Sequence, residues 1–203
     1  MKRILLGSMA FIALTFVSCQ SEETTEEEVE EITYQMIADD SSLEWKGIAN
    51  PEYYHTGTIT IKDGSVTMAG DSLTGGSFTI DMTSIKSTDL EGEKAQGLEA
   101  HLMGLDSNEY HNPMDFFRTK EFSESNVELL SYADGNLKMK LTVVGVSLER
   151  EIPATVKLDG VKVNISGDFE MDLSEYGIQS LQADPESGEQ KTIEFKLNVN
   201  LKK

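Results

Sequence analysis

Basic side chains are scarce in this sequence, and their scarcity limits what the protein can bind. Its 203 residues include 36 Asp and Glu against 17 Lys and Arg, a formal net charge of −19. Loss of residues 1–18, which carry two basic and no acidic groups, would make the charge −21. A surface of that sign repels phosphate backbones and anionic headgroups alike. Composition therefore argues against nucleic-acid binding and against membrane attachment through a basic patch.

Recognisable catalytic patterns are missing as well. The chain has no G-x-S-x-G nucleophile elbow, phosphate-cradling glycine loop or dinucleotide fingerprint. Its three histidines are His55, His101 and His111, and the last two are not at helical ligand spacing. We expect His55 and His101 to be hydrogen-bonded structural histidines. No catalytic residue, metal site or cofactor is predicted, and a metal-dependent enzyme is the least favoured alternative.

The longest apolar run at the N-terminus is too short to span a bilayer comfortably. Lys2 and Arg3 precede a run from residue 4 to 17, which is about fourteen residues against the ~20 that a spanning helix needs. This pattern predicts a secretory signal over residues 1–18, with a retained transmembrane anchor as the alternative.

Cysteine occurs once, directly after that signal. The segment Phe16-Val17-Ser18-Cys19 resembles a bacterial lipobox, although leucine is usual where Phe16 stands. A lone cysteine in an oxidising compartment, where thiols are usually paired, fits acylation better than a free thiol. We predict lipid attachment at Cys19, which would be the protein's contact with the membrane.

Residues 19–32 contain seven glutamates, so that this stretch cannot collapse and is expected to be a solvated tether. Acidic residues after an acylated cysteine resemble surface-export signals of some Gram-negative lipoproteins. Gln20 stands where aspartate would favour retention at the inner membrane. The expected location is the outer membrane, facing either the periplasm or the cell surface.

Residues 33–203 form one predicted domain of strands that alternate between apolar and polar side chains. Asp-Gly at 63–64, 134–135 and 159–160 predicts three hairpins, and Gly75-Gly76 predicts a bulge or bend. About nine strand candidates result, at residues 43–48, 58–62, 65–69, 77–82, 127–132, 137–143, 155–158, 161–165 and 193–201. Many short antiparallel strands with one apolar face predict a sandwich or a closed barrel, and a barrel of about eight strands can hold one small ligand.

One long connection interrupts the strands, from residue 86 to 114. It contains a helix-like piece from Glu93 to Met103, and Asp115 is a candidate cap for a short turn that follows. A connection this long in an all-β domain is commonly a lid. Phe116 and Phe117 then either cover something apolar or plug one end of the barrel.

Several motifs in order resemble the YceI-like family of bacterial exported proteins. They are Trp45-Lys46-Gly47, His55-Thr56-Gly57, residues 76–85 (GSFTIDMTSI), residues 98–102 (LEAHL), Asp115-Phe116-Phe117, residues 141–146 (LTVVGV) and Tyr176-Gly177-Ile178. The resemblance covers essentially the whole predicted domain.

The resemblance implies an all-β, antiparallel, roughly eight-stranded lipocalin-like barrel with a short helical lid. Its apolar interior would hold a polyisoprenoid, a quinone tail or a fatty-acyl amide. The expected ligand-binding residues are Trp45, His55, Phe78, Ile80, Met82, Leu98, His101, Leu102, Phe116, Phe117, Met139, Leu141 and Phe195.

The chain departs from the family pattern around the lid. An insertion from Met103 to Met114 separates the His-Leu pair from Asp-Phe-Phe, Phe122-Ser123 replaces Tyr-Pro, and Leu173 stands where arginine is usual. A packed barrel that acts as an envelope interaction protein remains the alternative function. The sequence identifies no protein partner and leaves a homodimer open.

Overall fold

The fold is described from a computed structural model, which covers residues 29–50, 53–105, 116–178 and 192–203. The described residues form ten strands: β1 (Glu31–Met36), β2 (Ser42–Asn50), β3 (Tyr53–Ala69), β4 (Ser72–Ser87), β5 (Glu124–Ala133), β6 (Asn136–Val143), β7 (Val146–Pro153), β8 (Thr155–Asp159), β9 (Lys162–Asp172) and β10 (Thr192–Lys202). One α-helix, α1 (Gly92–Leu102), and two 3₁₀ turns, Ala38–Asp40 and Ser174–Tyr176, complete them. Over these ranges, no helix is both long and apolar enough to cross a bilayer.

The ten described strands occupy eight positions around an antiparallel barrel. The strand order is β7-β6-β5-β4-β3-β1-β10-β9-β8, and β2 also pairs with both β3 and β10. The short strands β1 and β2 thus share the place between β3 and β10. The chain passes from β7 through Ala154 directly into β8, which pairs with β9, so these two strands share another place. The predicted all-β barrel of roughly eight strands is confirmed.

Alternating burial explains why these segments are strands. Along β6, Leu137, Met139, Leu141 and Val143 are buried, while the lysines between them are exposed. Since successive side chains of a strand point to opposite faces, such segments bury one apolar face inside the barrel. The predictions omitted β1 and β7. Residues 31 and 32, assigned to the tether, already belong to β1, where Glu31 pairs with Ala69.

The hairpin predictions at the three Asp-Gly pairs have different outcomes. Asp134 and Gly135 turn between β5 and β6 with φ of 52° and 80°, as a two-residue hairpin requires. Between β8 and β9 the turn residues are Gly160 and Val161, one position later than predicted.

The hairpin prediction at Asp63-Gly64 is wrong, because both residues lie inside the long strand β3. The chain reverses instead at Gly70-Asp71, where Gly70 has φ 58°. Gly64 pairs with Phe78 across the sheet, and a Cβ there would lie 1.9 Å from Cδ1 of the Phe78 ring. This glycine therefore makes room for an aromatic ring and does not form a turn.

Gly75 and Gly76 lie within β4 at a shift of register, where Thr67 pairs with Gly75 but Met68 pairs with Leu73. The predicted bulge is confirmed. A Cβ on Gly76 would lie 2.6 Å from the carbonyl oxygen of Ser65, so the strands approach closely here.

Helix α1 covers one end of the barrel, which we call the lid end. Its bounds agree with the predicted helix to within one residue. The helix ends in a Schellman motif: Leu105 N–H donates to the Ala100 carbonyl at 2.9 Å and Gly104 N–H to the His101 carbonyl at 2.9 Å, with Gly104 at φ 66°. At the opposite end, which carries the turns at residues 70–71, 134–135 and 160–161, Val66, Met68, Val163 and Leu201 are packed with at most 1% exposure.

Candidate functional site

Two apolar cavities lie inside the barrel, one beneath the lid and one in its middle. The first, which we call the lid cavity, encloses about 190 Å³ beneath α1. Its walls come from the ends of β2, β3, β4 and β10 that meet the lid. Its described lining residues are Trp45, Gly47, Ile48, His55, Ile59, Ile85, Leu98, His101, Leu102, Phe116, Phe117, Thr192, Ile193 and Phe195.

The second cavity, which we call the barrel cavity, encloses about 110 Å³ in the middle of the barrel. Among the described residues that line it, every side chain is apolar except that of Ser125. Val66, Met68, Val163 and Leu201 line neither cavity. The available space thus begins at the lid and ends inside the barrel.

Three side chains line both cavities and therefore lie where the two cavities adjoin. Ile59 comes from β3, Phe195 from β10, and Phe117 from the segment that returns from the lid. We call this group the junction. Ile59 and Phe117 are 8% and 7% exposed.

All thirteen residues expected to contact ligand lie in the walls of these two cavities. The barrel cavity receives Phe78, Ile80, Met82, Met139 and Leu141. The lid cavity receives Trp45, His55, Leu98, His101, Leu102 and Phe116. Phe117 and Phe195 line both. They lie there because alternate side chains of each strand point into the barrel and because the apolar face of α1 faces the lid cavity.

The two adjacent phenylalanines occupy different places. Phe116 packs edge-on against the His101 ring, with ring centroids 4.6 Å apart, and lines the lid cavity alone. Phe117 is buried one step deeper, at the junction. Asp115, the proposed cap before them, lies outside the described residues, as do His111, Cys19 and most of the insertion from Met103 to Met114.

The site predictions missed several lining residues that the alternation could have revealed. Ile59 and Ile61 point inward from the alternating segment of β3. Phe169 lies between two acidic residues of β9 and stacks on Phe195 at 5.6 Å between centroids. Leu173, in the place where the family pattern has arginine, also lines the barrel cavity.

The lid helix is attached to the barrel by a buried carboxylate. Glu99 of α1 accepts hydrogen bonds from Lys86 Nζ at 3.0 Å and from the Ser87 backbone N–H at 3.1 Å. Burial alone would raise the pKa of Glu99, but these bonds and the Lys86 charge hold it below its ordinary value. The carboxylate is therefore charged at neutral pH and fixes α1 to the end of β4.

A second carboxylate joins the start of the lid to β3. Asp89 accepts hydrogen bonds from the Thr56 backbone N–H at 3.0 Å and the Ser87 hydroxyl at 3.0 Å, and its Oδ2 lies 2.8 Å from His55 Nδ1. Burial opposes its ionisation, yet the bonds from His55, Thr56 and Ser87 lower the pKa of Asp89. His55 is thus in a structural pair. Within the ranges that the structure covers, no group of three or more His, Cys, Asp or Glu could hold a metal ion.

The family relationship follows from comparison with known proteins. A family model described as the YceI-like domain matches residues 34–201. The chain belongs to the YceI-like family. This match spans both cavities and all ten described strands except the first residues of β1 and the last of β10.

Solved structures show the same fold at low sequence identity. The chain is similar to a polyisoprenoid binding domain from Saccharophagus degradans implicated in plant cell wall breakdown, with a TM-score of 0.56 and 14% identity over 83% of this chain and 97% of that one. It is equally similar to Burkholderia cenocepacia BcnA, with a TM-score of 0.56 and 14% identity over 81% and 98% of the two chains. No curated protein matches the sequence significantly.

Proposed function

We propose that this YceI-like chain holds a long apolar ligand inside its barrel, for storage or transport in the bacterial envelope. The observation that carries the proposal is the pair of apolar cavities beneath a helical lid, with Ser125 as the one polar side chain among the described residues lining the inner one. The ligand classes are a polyisoprenoid, a quinone tail or a fatty-acyl amide. The similarity to the polyisoprenoid binding domain from Saccharophagus degradans supports the first.

The cost of leaving this space empty supports a ligand over a packed barrel. The two cavities together enclose about 300 Å³. An unfilled cavity costs about 24 cal/mol per Å³, so that space of this size would cost roughly 7 kcal/mol. Native interiors leave few voids larger than a water molecule. A protein that used only its outer surface would have no reason to keep such a defect.

The balance of binding energies favours a chain over a small polar molecule. Burying one isoprene unit gains up to about 4 kcal/mol, at ~0.8 kcal/mol for each carbon group. Association costs an estimated 4–15 kcal/mol before any net affinity results. Because the walls offer few polar anchors, a ligand with roughly three or more units, or an equivalent acyl chain, is expected. The proposal assigns no catalytic step to the protein.

Export and anchoring complete the proposal. We infer that residues 1–18 are removed and that Cys19 is acylated, which places the barrel at the outer membrane on a short acidic tether. Support comes from the sequence alone, through the basic start, the apolar run and the single cysteine. Labelling of cells with an alkynyl fatty acid should mark the wild-type protein and not the Cys19→Ser variant. Equal labelling of both would remove Cys19 from the proposal.

Trp45 allows a direct test of ligand binding. It is the only tryptophan of the chain, it is 7% exposed, and its ring lines the lid cavity. Titration with farnesol should therefore produce a saturable change in Trp45 emission at one ligand per protein, whereas glucose should produce none. Free N-acetyltryptophanamide, measured in parallel, controls for quenching in solution. A linear response identical to that control would count against binding in the lid cavity.

A further inference from the structure

The polar side chains that line the two cavities lie almost entirely at the lid. Among the described residues around the barrel cavity, Ser125 carries the one polar side chain. The lid cavity is lined by Trp45, His55, His101 and Thr192, whose side chains each contain a nitrogen or an oxygen. Because burial of a polar group without a hydrogen bond is costly, a ligand whose chain fills both cavities has its polar end in the lid cavity.

Basic side chains do not line these cavities. Among the described lining residues of either cavity, none is a lysine or an arginine. Two lysines on strands that form the wall of the lid cavity already have carboxylate partners. Lys86 Nζ lies 3.0 Å from Glu99 Oε2, and Lys46 Nζ lies 3.0 Å from Glu194 Oε2. A ligand anion would have to displace one of these carboxylates to pair with either lysine.

Carboxylates, by contrast, hold the lid against the barrel. Glu99 is 7% exposed on α1, and Asp89 lies beside His55 at the start of the lid. Since Asp89 is ionised, the His55–Asp89 pair has no net positive charge whether the imidazole is protonated or neutral. From residue 86 to residue 104 the chain carries four carboxylates and two lysines, a formal charge of −2. Even a protonated His101 would leave this segment negative.

A phosphate at the lid would therefore lack a counter-charge. A phosphate monoester carries about −1.5 to −2 charges at neutral pH. Burying such an anion without a cation costs far more than burying a hydroxyl or an amide. The nearby carboxylates add repulsion, which is strong where water is excluded. A hydroxyl, an amide or a quinone carbonyl needs only a hydrogen-bond partner of the kinds that the lid cavity contains.

We propose that the barrel selects ligands whose polar end is uncharged. Isoprenoid alcohols, quinones and fatty-acyl amides are held, whereas isoprenoid phosphates and fatty-acid anions are rejected. This inference rests on the proposed function, because it names the chemical class of ligand for the same two cavities.

Farnesol and farnesyl phosphate test the inference, since they share the farnesyl chain and differ only at its polar end. Dissociation constants are measured with the full-length protein from the emission of Trp45. The wild type should bind farnesyl phosphate at least about a hundredfold more weakly than farnesol, because the unpaired charge is buried in one complex only.

Three variants examine whether charge at the lid causes this preference. Glu99→Gln removes a carboxylate there and leaves Lys86 without a counter-charge, so it should narrow the preference for farnesol by about tenfold. Glu149→Gln is the matched control, since it leaves Lys138 unpaired on the exposed face of β7, and it should keep the ratio within about twofold of wild type. Thr192→Lys adds a cation to the lid cavity and should also narrow the preference if Glu99→Gln binds neither ligand.

The possible outcomes separate the inference from the proposed function. If the wild type binds farnesol and farnesyl phosphate within about threefold of one another, the inference fails while the proposed function stands. If the wild type prefers farnesol but Glu99→Gln and Thr192→Lys both keep its ratio, charge at the lid is not the cause, and the inference fails as well. If the folded wild type binds neither compound, the proposed function itself fails.

Discussion

Replacing Glu99 by alanine should loosen the lid without unfolding the barrel. The substitution removes the acceptor of the Ser87 N–H and of Lys86 Nζ, the two bonds that fix α1 to the end of β4. A hydrogen bond to a charged group contributes about 1.5–3 kcal/mol. The Lys86 pair adds less than about 1 kcal/mol, because the Lys86 side chain is 66% exposed. The expected loss is therefore about 2 kcal/mol, acting on the attachment of α1.

Hydrogen exchange measures this loss directly. A decrease of about 2 kcal/mol in the free energy of opening corresponds to roughly thirtyfold faster exchange of the α1 amides. Amides in β5 and β6, two strands to which Glu99 makes no hydrogen bond, should keep their exchange rates. Glu99→Gln retains one acceptor for the Ser87 N–H and should show a smaller increase.

Glu93→Ala is the matched control, since it removes the same charge from an exposed position on the same helix. It should leave the exchange of α1 within about threefold of wild type. Equal acceleration in α1 and in the barrel strands would show that Glu99 supports the whole fold. Unchanged exchange in Glu99→Ala would refute the idea that these two bonds hold the lid.

Three further predictions concern the same region. Gly57→Ala should lower the free energy of unfolding by more than about 2 kcal/mol in denaturant titration. A Cβ there would lie 2.0 Å from the Lys86 carbonyl oxygen and 2.3 Å from the Trp45 ring. A loss below about 0.5 kcal/mol would mean that the strands move apart easily. Gly97→Ala, at a helical position with open space, should stabilise α1 by up to about 1 kcal/mol and slow its amide exchange, and faster exchange would contradict this. The folded-state pKa of Glu99 lies below its ordinary value near 4.5, so its contribution to the stability of the lid is complete above about pH 5 and is lost as the pH falls through the folded pKa. Protection of the α1 amides from exchange should therefore decrease in acid in the wild type and much less in Glu99→Ala. Parallel pH profiles of the two proteins would exclude Glu99 as the cause.

Much of the barrel could be predicted from the sequence, because the alternation of apolar and polar residues along each strand indicates which face is buried. The inward residues of β6 and β10 follow from strict alternation, and the position of α1 follows from the long break between strands. The strand β1 was hidden because its first residue, Glu31, continues the acidic run before it. Its pairing with β3 depends on residues 30 to 38 positions away.

Two identical Asp-Gly dipeptides adopt different structures in this chain. Asp134-Gly135 forms a turn, since the strands on either side pair with one another from Ala133 and Asn136 outward. Asp63-Gly64 has the same local preference but stays extended, because Phe78 of the neighbouring strand occupies the space above Gly64. The position of the Phe78 ring cannot be predicted from the dipeptide alone.

The walls of the site could be predicted, but the place where its two cavities adjoin could not. Phe117 and Phe195 were both expected at the ligand, from the family motif and from alternation. That these two side chains meet Ile59 at one junction depends on the position of the segment after α1 relative to β3 and β10. Such a juxtaposition arises only when the barrel has closed.

The central claim, that the barrel holds an apolar ligand, is tested most directly on protein purified natively from the cells that make it. Extraction of the purified protein with organic solvent, followed by mass spectrometry of the extract, should yield an isoprenoid or acyl compound at close to one molecule per protein. The same compound should be absent from an extract of a Met139→Glu, Leu141→Glu variant prepared in parallel, since its barrel cavity would contain unpaired charge. An extract of the wild type that contains no such compound, together with no uptake of added farnesol, would contradict the account.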